Sequence, residues 1–385
     1  MPMTRIVYHY LSLVALAAFL FGCKTTRVAR TTPERKKDST IITKTIDSLD
    51  IKIGQMIMIG IEERTMIAPD DTLLTQLRDG RIGGVVLFEK NIAKTNSADS
   101  FRNLITTMQQ VARIPLFITI DEEGGKVHRL KEKYGFVGMP SAAHLGALDN
   151  ADSTLFYNRR LAAEMRDLGI NLNYAPCVDV AVNPDNPVIV KVGRSFSSDP
   201  AIVSKHALLC IQAHHENSVQ TILKHFPGHG SSTNDSHLGI ADVTNTWKFL
   251  ELEPYQNIIQ SGNVDAIMTA HIINRNFDTL PATLSKEIIG GKLRDFLKYD
   301  GVVFSDDMQM HAIAEHFGFV RAIVMAINAG VDVVMFANTI PNTQGRVSAE
   351  QVHQIIRAHV GFQAIKEERI NEAYRRIMAL KAKKF

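Results

Sequence analysis

The sequence predicts an α/β protein, a closed (β/α)8 barrel of the TIM type with its C-terminal helices packed outside the barrel. Three features of the chain carry that expectation. Eight short apolar runs recur between residues 55 and 336, longer helical patterns separate them, and glycines close several of those patterns just before the next run. Continuous apolar runs of this length suit strands buried on both faces of a parallel sheet. Eight strands alternating with helices favour a closed barrel over an open doubly wound sheet. No GxGxxG follows the first run, so the usual dinucleotide fingerprint is missing and no cofactor is expected.

In order, the runs are QMIMIG (55–60), GGVVLF (83–88), LFITID (116–121), LNYAPCVDV (172–180), TILKHF (221–226), AIMTAH (266–271), GVVFSD (301–306) and VDVVMF (331–336). The stretch from Asp199 to Asn217 shows the intervening pattern. Val203, His206, Ala207, Cys210 and Ala213 fall on one stripe at the 3.6-residue period of a helix. Gly80, Gly169, Gly262 and Gly330 each follow such a stretch, where a left-handed cap favours glycine. The tail from Ser348 to Lys384 reads as one or two further helices outside the barrel.

With 385 residues, 45% of them hydrophobic and 22% charged, the chain has ordinary globular composition and enough length for one large core. A formal charge of +3 gives no reason to expect a nucleic-acid partner. Residues 1–22 are read as a lipoprotein-type signal peptide. Arg5 precedes an apolar run from Leu11 to Phe21, shorter than the ~20 residues of a stable span. The ending Leu20-Phe21-Gly22-Cys23 resembles a lipobox, which would make Cys23 a lipid anchor and place the protein outside the cytoplasm, held to a bacterial membrane. Residues 23–45 are polar, with Arg35-Lys36-Lys37 among them, and read as a tether. The barrel domain is then expected over 46–385. Cys177 and Cys210 remain, and no spacing pairs them, so both are expected as buried thiols.

Barrel enzymes carry their chemistry at the C-terminal ends of the strands. Ionisable residues gather there: Asp121 after the third run, Lys224 and His225 in the fifth, His271 after the sixth, and Asp306 with Asp307 after the seventh. Such groups are costly at the end of an apolar strand unless they are paired or used. The segment from Lys224 to His237 (KHFPGHGSSTNDSH) is the densest in chemistry. Asp235 and His237 are two apart, so in an extended segment they point the same way. A carboxylate beside an imidazole fixes its tautomer and stabilises its charged form, which suits a proton shuttle. His225, His229, Asp235 and His237 are also metal-ligand types. Their spacing matches no zinc pattern, and Lys224 would repel a cation, so no metal is expected.

KHFPGHG followed by Asp235-Ser236-His237 resembles the signature loop of family 3 glycoside hydrolases that act as β-N-acetylhexosaminidases. Residues 120–130 (IDEEGGKVHRL), 193–200 (GRSFSSDP), 268–272 (MTAHI), 281–285 (PATLS) and 301–308 (GVVFSDDM) resemble the other family blocks, in the same order. The resemblance as a whole extends over residues 50 to 380. The resemblance implies that Asp306 is the nucleophile, that His237 is the acid/base with Asp235 as its partner, and that Asp121, Arg129, Arg194, Lys224 and His225 hold hydroxyls of the terminal sugar. It also implies that His271 lines the same pocket. Asp307 is expected to face away and to serve structure. Glu122, Lys126 and Lys90 depart from residues common in relatives, which bears on substrate detail rather than on reaction type.

The expected activity is exo-acting, retaining removal of terminal β-linked N-acetylglucosamine from cell-wall fragments or related glycans. Three alternatives stand beside it: a phosphorylase, because a neutral histidine base does not repel phosphate; a β-glucosidase; and a non-catalytic glycan-binding surface lipoprotein.

Overall fold

The computed structural model describes residues 48–234, 239–339 and 345–383. The described residues belong to one compact unit. Its eight barrel strands are β1 (Ile57–Gly60), β2 (Gly84–Leu87), β3 (Phe117–Ile120), β4 (Leu172–Asn173), β5 (Gln220–Phe226), β6 (Ala266–Thr269), β7 (Val302–Asp307) and β8 (Val333–Phe336). They pair in chain order, every neighbour parallel, and β8 closes onto β1. Each of the eight apolar runs contributes one strand.

The fourth run keeps only two ladder residues of the nine expected. Pro176 has no N–H to donate, so regular pairing stops before it. The chain still runs beside β5: Ile222 N donates to Ala175 O at 3.0 Å, and Cys177 makes a single bridge to Lys224. Asp179, further along the same run, therefore arrives at the barrel mouth as irregular backbone.

Helices cover the outside. The one over Pro200–His215 begins where Asp199 accepts the N–H of Ala201, with proline in the first turn. Gly169 and Gly330 end the preceding helices with φ of 90° and 119°, conformations that a side chain would strain. Inside the barrel, Phe304 meets Phe117 and Tyr174 edge to face at 6.0 and 6.5 Å, and the Tyr174 hydroxyl reaches Met58 Sδ. This layer plugs the barrel and leaves Tyr174 as the floor of whatever lies above.

The tail forms two helices, Ala349–Gly361 and Glu367–Ala382, outside the barrel. Asp332, fully buried at the foot of β8, latches the second. Its carboxylate accepts Arg369, Arg294 at 3.0 Å and Val303 N at 3.0 Å, with Arg376 at 3.4 Å. Removing one partner of a buried ionic cluster typically costs about 3–5 kcal/mol. Asp332→Ala should therefore lower the melting temperature by about 5 °C, read by calorimetry, without changing the residues of the barrel mouth.

Candidate active site

Three strand ends and two loops build the mouth. After β3 the side chains alternate, as an extended chain requires. Asp121 and Glu123 turn towards the barrel axis, and Glu122 turns away into its own loop. Lys224 rises from β5 with its side chain 2% exposed, and its Nζ lies 2.7 Å from Asp121 Oδ1 and 2.6 Å from Glu123 Oε1. Arg194, from the loop after β4, forks onto Glu123: Nε donates to Oε2 at 2.8 Å and Nη2 to Oε1 at 2.7 Å. Arg129 approaches Asp121 from the loop after β3, 3.7 Å away. Asp306 is the penultimate residue of β7, half-buried, with its Oδ1 accepting the N–H of Asp307 at 2.8 Å.

These residues surround one cavity of about 160 Å³, lined by Asp121, Arg129, Arg194, Lys224, His225 and Asp306 among others, with Tyr174 beneath. Asp121 and Asp306 in the wall, with Glu123 held behind it by Arg194 and Lys224, balance three cations, so the surroundings are dense in charge yet neutral on the whole. Burial alone would push Glu123 up, but Arg194 and Lys224 outweigh it and hold the carboxyl at about 2. Burial would lower Lys224, and the two carboxylates beside it raise it instead. A hollow of about 330 Å³ at the opposite end of the barrel, near Phe117 and Lys381, is lined by no carboxylate among the described residues. Chemistry, more than volume, marks the upper cavity as the site.

The amino-acid sequence from residue 48 to 380 matches the glycosyl hydrolase family 3 N-terminal domain. The chain belongs to glycosyl hydrolase family 3. Among curated relatives, β-hexosaminidase A of Pseudoalteromonas piscicida is 34% identical over 324 residues, covering 78% of this chain and 53% of that protein. The β-hexosaminidase of Idiomarina loihiensis is 34% identical over 289 residues, covering 73% of this chain and 83% of its own. This chain thus spans about half of the first relative and most of the second. A family 3 β-N-acetylglucosaminidase structure from Paenibacillus sp. str. FPU-7 superposes with a TM-score of 0.79 at 33% identity, over 87% of this chain and 62% of that one. A β-N-acetylhexosaminidase structure from Beutenbergia cavernae superposes at 0.77 with 26% identity, over 88% and 99%.

Within this family 3 barrel, Asp121, Arg129, Arg194, Lys224, His225 and Asp306 line one cavity, as the sequence leads one to expect. His271 does not. It is fully buried, its Nδ1 paired with Thr283 Oγ1 at 2.8 Å and its Nε2 with the carbonyl of Asp307 at 2.9 Å. The ring sits behind the strand end that carries Asp306 and steadies it, because β6 has already ended at Thr269 and the chain turns there. Asp307 does face away: its Oδ1 accepts the N–H groups of Gln309 and Ala337, each at 3.1 Å. Asp235, His237 and Cys23 lie outside the described residues.

The stem leading towards Asp235 is held from several sides. Asp179, fully buried, accepts His225 Nδ1 at 2.7 Å and the N–H of His229 at 2.8 Å. Burial would push its carboxyl up, but His225 and the donated N–H hold it well below the usual range. Asn186 donates to the carbonyl of His229 at 2.7 Å, Asn183 to that of Ser232 at 2.9 Å, and Trp247 to that of Pro227 at 3.1 Å. Glu251 accepts the N–H of Ser231 at 3.2 Å. Gly230 has no room for a side chain, since a Cβ would stand 1.6 Å from Val180 O. Burial, helped by His225, lowers His229 to about 4, so it is neutral near pH 7.

Cys177 and Cys210 are both unpaired, buried thiols. Cys177, Asp179 and His225 offer metal-type donor atoms within 4.8 Å of one another. Those atoms already bond among themselves, and the Arg194 guanidinium, 3.2 Å from His225 Nε2, opposes a further cation.

Sequence reasoning missed Glu123, Asp179 and Tyr174. The two-residue alternation from Asp121 could have flagged Glu123. Nothing in the fourth run separated Asp179 from a solvated loop acid. Because the Glu123 carboxyl is held below its ordinary 4.5, its stabilising contribution is present above about pH 4.5 and fades as pH falls towards 2. Glu123→Gln should cost about 3 kcal/mol at pH 7, with the gap from wild type closing below pH 4, measured by denaturant melts across pH.

Proposed function

We propose that the protein is an exo-acting, retaining β-N-acetylhexosaminidase that removes terminal β-linked N-acetylglucosamine. Asp306 is the nucleophile in this reading, and His237, partnered by Asp235, is the acid/base. The observation that carries it is the carboxylate of Asp306 in the wall of a cavity that Asp121, Arg129, Arg194, Lys224 and His225 also line. The names of the relatives, β-hexosaminidase and β-N-acetylglucosaminidase, supply the sugar class.

The chemistry follows from charge. Asp121, Lys224, Arg194, Arg129 and His225 take the hydroxyls of the terminal sugar, and their mutual pairing means that little must reorganise when the sugar enters. The Asp306 carboxylate attacks the anomeric carbon and forms a glycosyl ester, while protonated His237 gives its proton to the departing oxygen. Neutral His237 then takes a proton from water, water adds to the anomeric carbon, and the Asp306 carboxylate leaves. Two inversions give net retention. Phosphate in place of water would yield a sugar 1-phosphate, so products are to be compared with and without phosphate.

Asp306→Asn should lower turnover of a chromogenic β-N-acetylglucosaminide by at least about 10³-fold with the fold intact. Proton NMR of the wild-type reaction should show β-N-acetylglucosamine before the α anomer. Activity surviving in Asp306→Asn, or the α anomer forming first, would overturn the assignment. Cell-wall fragments or related glycans are the proposed natural substrates, and residues 1–22 read as an export signal that precedes Cys23. If Cys23 carries the anchor, wild type should sediment with membranes and Cys23→Ser should be released; equal partitioning of the two would remove the anchor from the account.

A further inference from the structure

Glu122 is a buried carboxylate whose hydrogen bonds all return to the loop that follows it. Its side chain is 0% exposed. Oε1 accepts two backbone N–H groups, from Arg129 at 2.5 Å and from Leu130 at 2.6 Å. Oε2 accepts Nδ1 of His128 at 2.5 Å. Its own backbone is clamped by Asn173, which accepts its N–H at 3.1 Å and donates to its carbonyl at 3.0 Å. Between Glu122 and Arg129 the chain makes a tight reversal. Gly124 and Gly125 have φ of 92° and 59°, and the N–H groups of Glu123 and Gly124 both donate to Val127 O.

The residue this arrangement delivers is Arg129. Its guanidinium lines the cavity, its Nη2 stands 3.7 Å from Asp121, and its Nε is buried with no hydrogen-bond acceptor among the described residues. A buried donor left open at the wall of a cavity is a group waiting for an acceptor from outside. The reach of a long side chain depends on where its backbone is held, and here one carboxylate oxygen holds it.

We propose that Glu122 is a positioning residue for substrate binding, acting through Arg129 by pinning the Arg129 and Leu130 amides so that the guanidinium meets an acceptor on the sugar. Glu122 itself touches no substrate. The inference rests on the hexosaminidase reading given above. A carboxamide at 122 can satisfy the same geometry. Its oxygen accepts both amides, and its NH2 donates to His128 Nδ1 once the imidazole proton moves to Nε2, a buried atom with no partner among the described residues, so the cost falls on stability and spares the two amides. Charge at 122 is thus dispensable, whereas the oxygen is not.

The test is a double-mutant cycle on a chromogenic β-N-acetylglucosaminide, with Glu122→Ala, Arg129→Ala, the pair together, and Glu122→Gln. Glu122→Ala should lower kcat/KM by about tenfold, chiefly through KM, and the double variant should fall no more than about twofold below Arg129→Ala alone. Glu122→Gln should stay within about threefold of wild type. Losses that multiply in the double variant, or a Glu122→Gln as damaged as Glu122→Ala, would overturn the proposal. Should Glu122→Ala not fold, the cycle runs on Glu122→Asp, whose carboxylate falls one methylene short of the two amides. Wild type inactive on the glycoside would sink the hexosaminidase reading instead. The same cycle is then read from calorimetric binding of N-acetylglucosamine, where non-additivity again supports the role and additivity rejects it.

Discussion

A lysine buried among carboxylates is the constraint around which the upper half of the barrel is organised. Lys224 has 2% of its side chain exposed, and an ammonium so placed is tolerable only when paired. Asp121 and Glu123 supply that pairing, and Arg194 then neutralises what Glu123 has left over. The four groups come from β3, β5 and the loop after β4, so the register of those strands and the path of that loop are tied to one electrostatic balance. Shifting any one element would strand a charge in a low-dielectric setting. The outcome is a wall of fixed donors and acceptors, set before any sugar arrives.

Around that balance, a second tier of contacts fixes the backbone leaving β5. Asp179, Asn183, Asn186, Trp247 and Glu251 each bond to a main-chain atom or ring between His225 and Ser232. They come from the segment after β4 and from the segment before the helix at Glu253–Gln260, on opposite flanks of the same stem. Burial pushes Glu251 up to about 7, despite the N–H groups of Ser231 and Lys248 that bond to it. Keeping such a residue in an apolar surrounding costs stability, and its return here is a stem with a defined exit direction.

How much of this was legible in the chain depends on whether a residue's role is local. Strand runs such as GVVLF and VDVVMF declare themselves, because burial on both faces leaves no polar position to hide. The pocket residues at strand ends were legible for the opposite reason, as charges interrupting apolar runs. Asp306 and Lys224 stand out that way. His271 carries the same signature, yet it faces Thr283 and the Asp307 carbonyl, since strand length decides where a terminal residue points and apolar patterning leaves that length uncertain by a residue or two. Asp179 and Glu251 were hidden because the backbone amides they hold lie some 20 to 50 positions away, and a backbone amide has no letter in the sequence. The resemblance to family 3 filled in roles that patterning alone leaves open.

The alternation at the ends of β3 and β7 bears on how such a protein can change over time. At 121–123 and again at 306–307, neighbouring carboxylates do opposite jobs because the pleat turns successive side chains to opposite sides. Each job is thus a matter of phase. Exchanging one acid for another conserves that phase, whereas gaining or losing a single residue inverts it, sending the anchor into the cavity and the cavity's acid into the scaffold. Length drift at these two points should therefore be far rarer among working descendants than change of side chain.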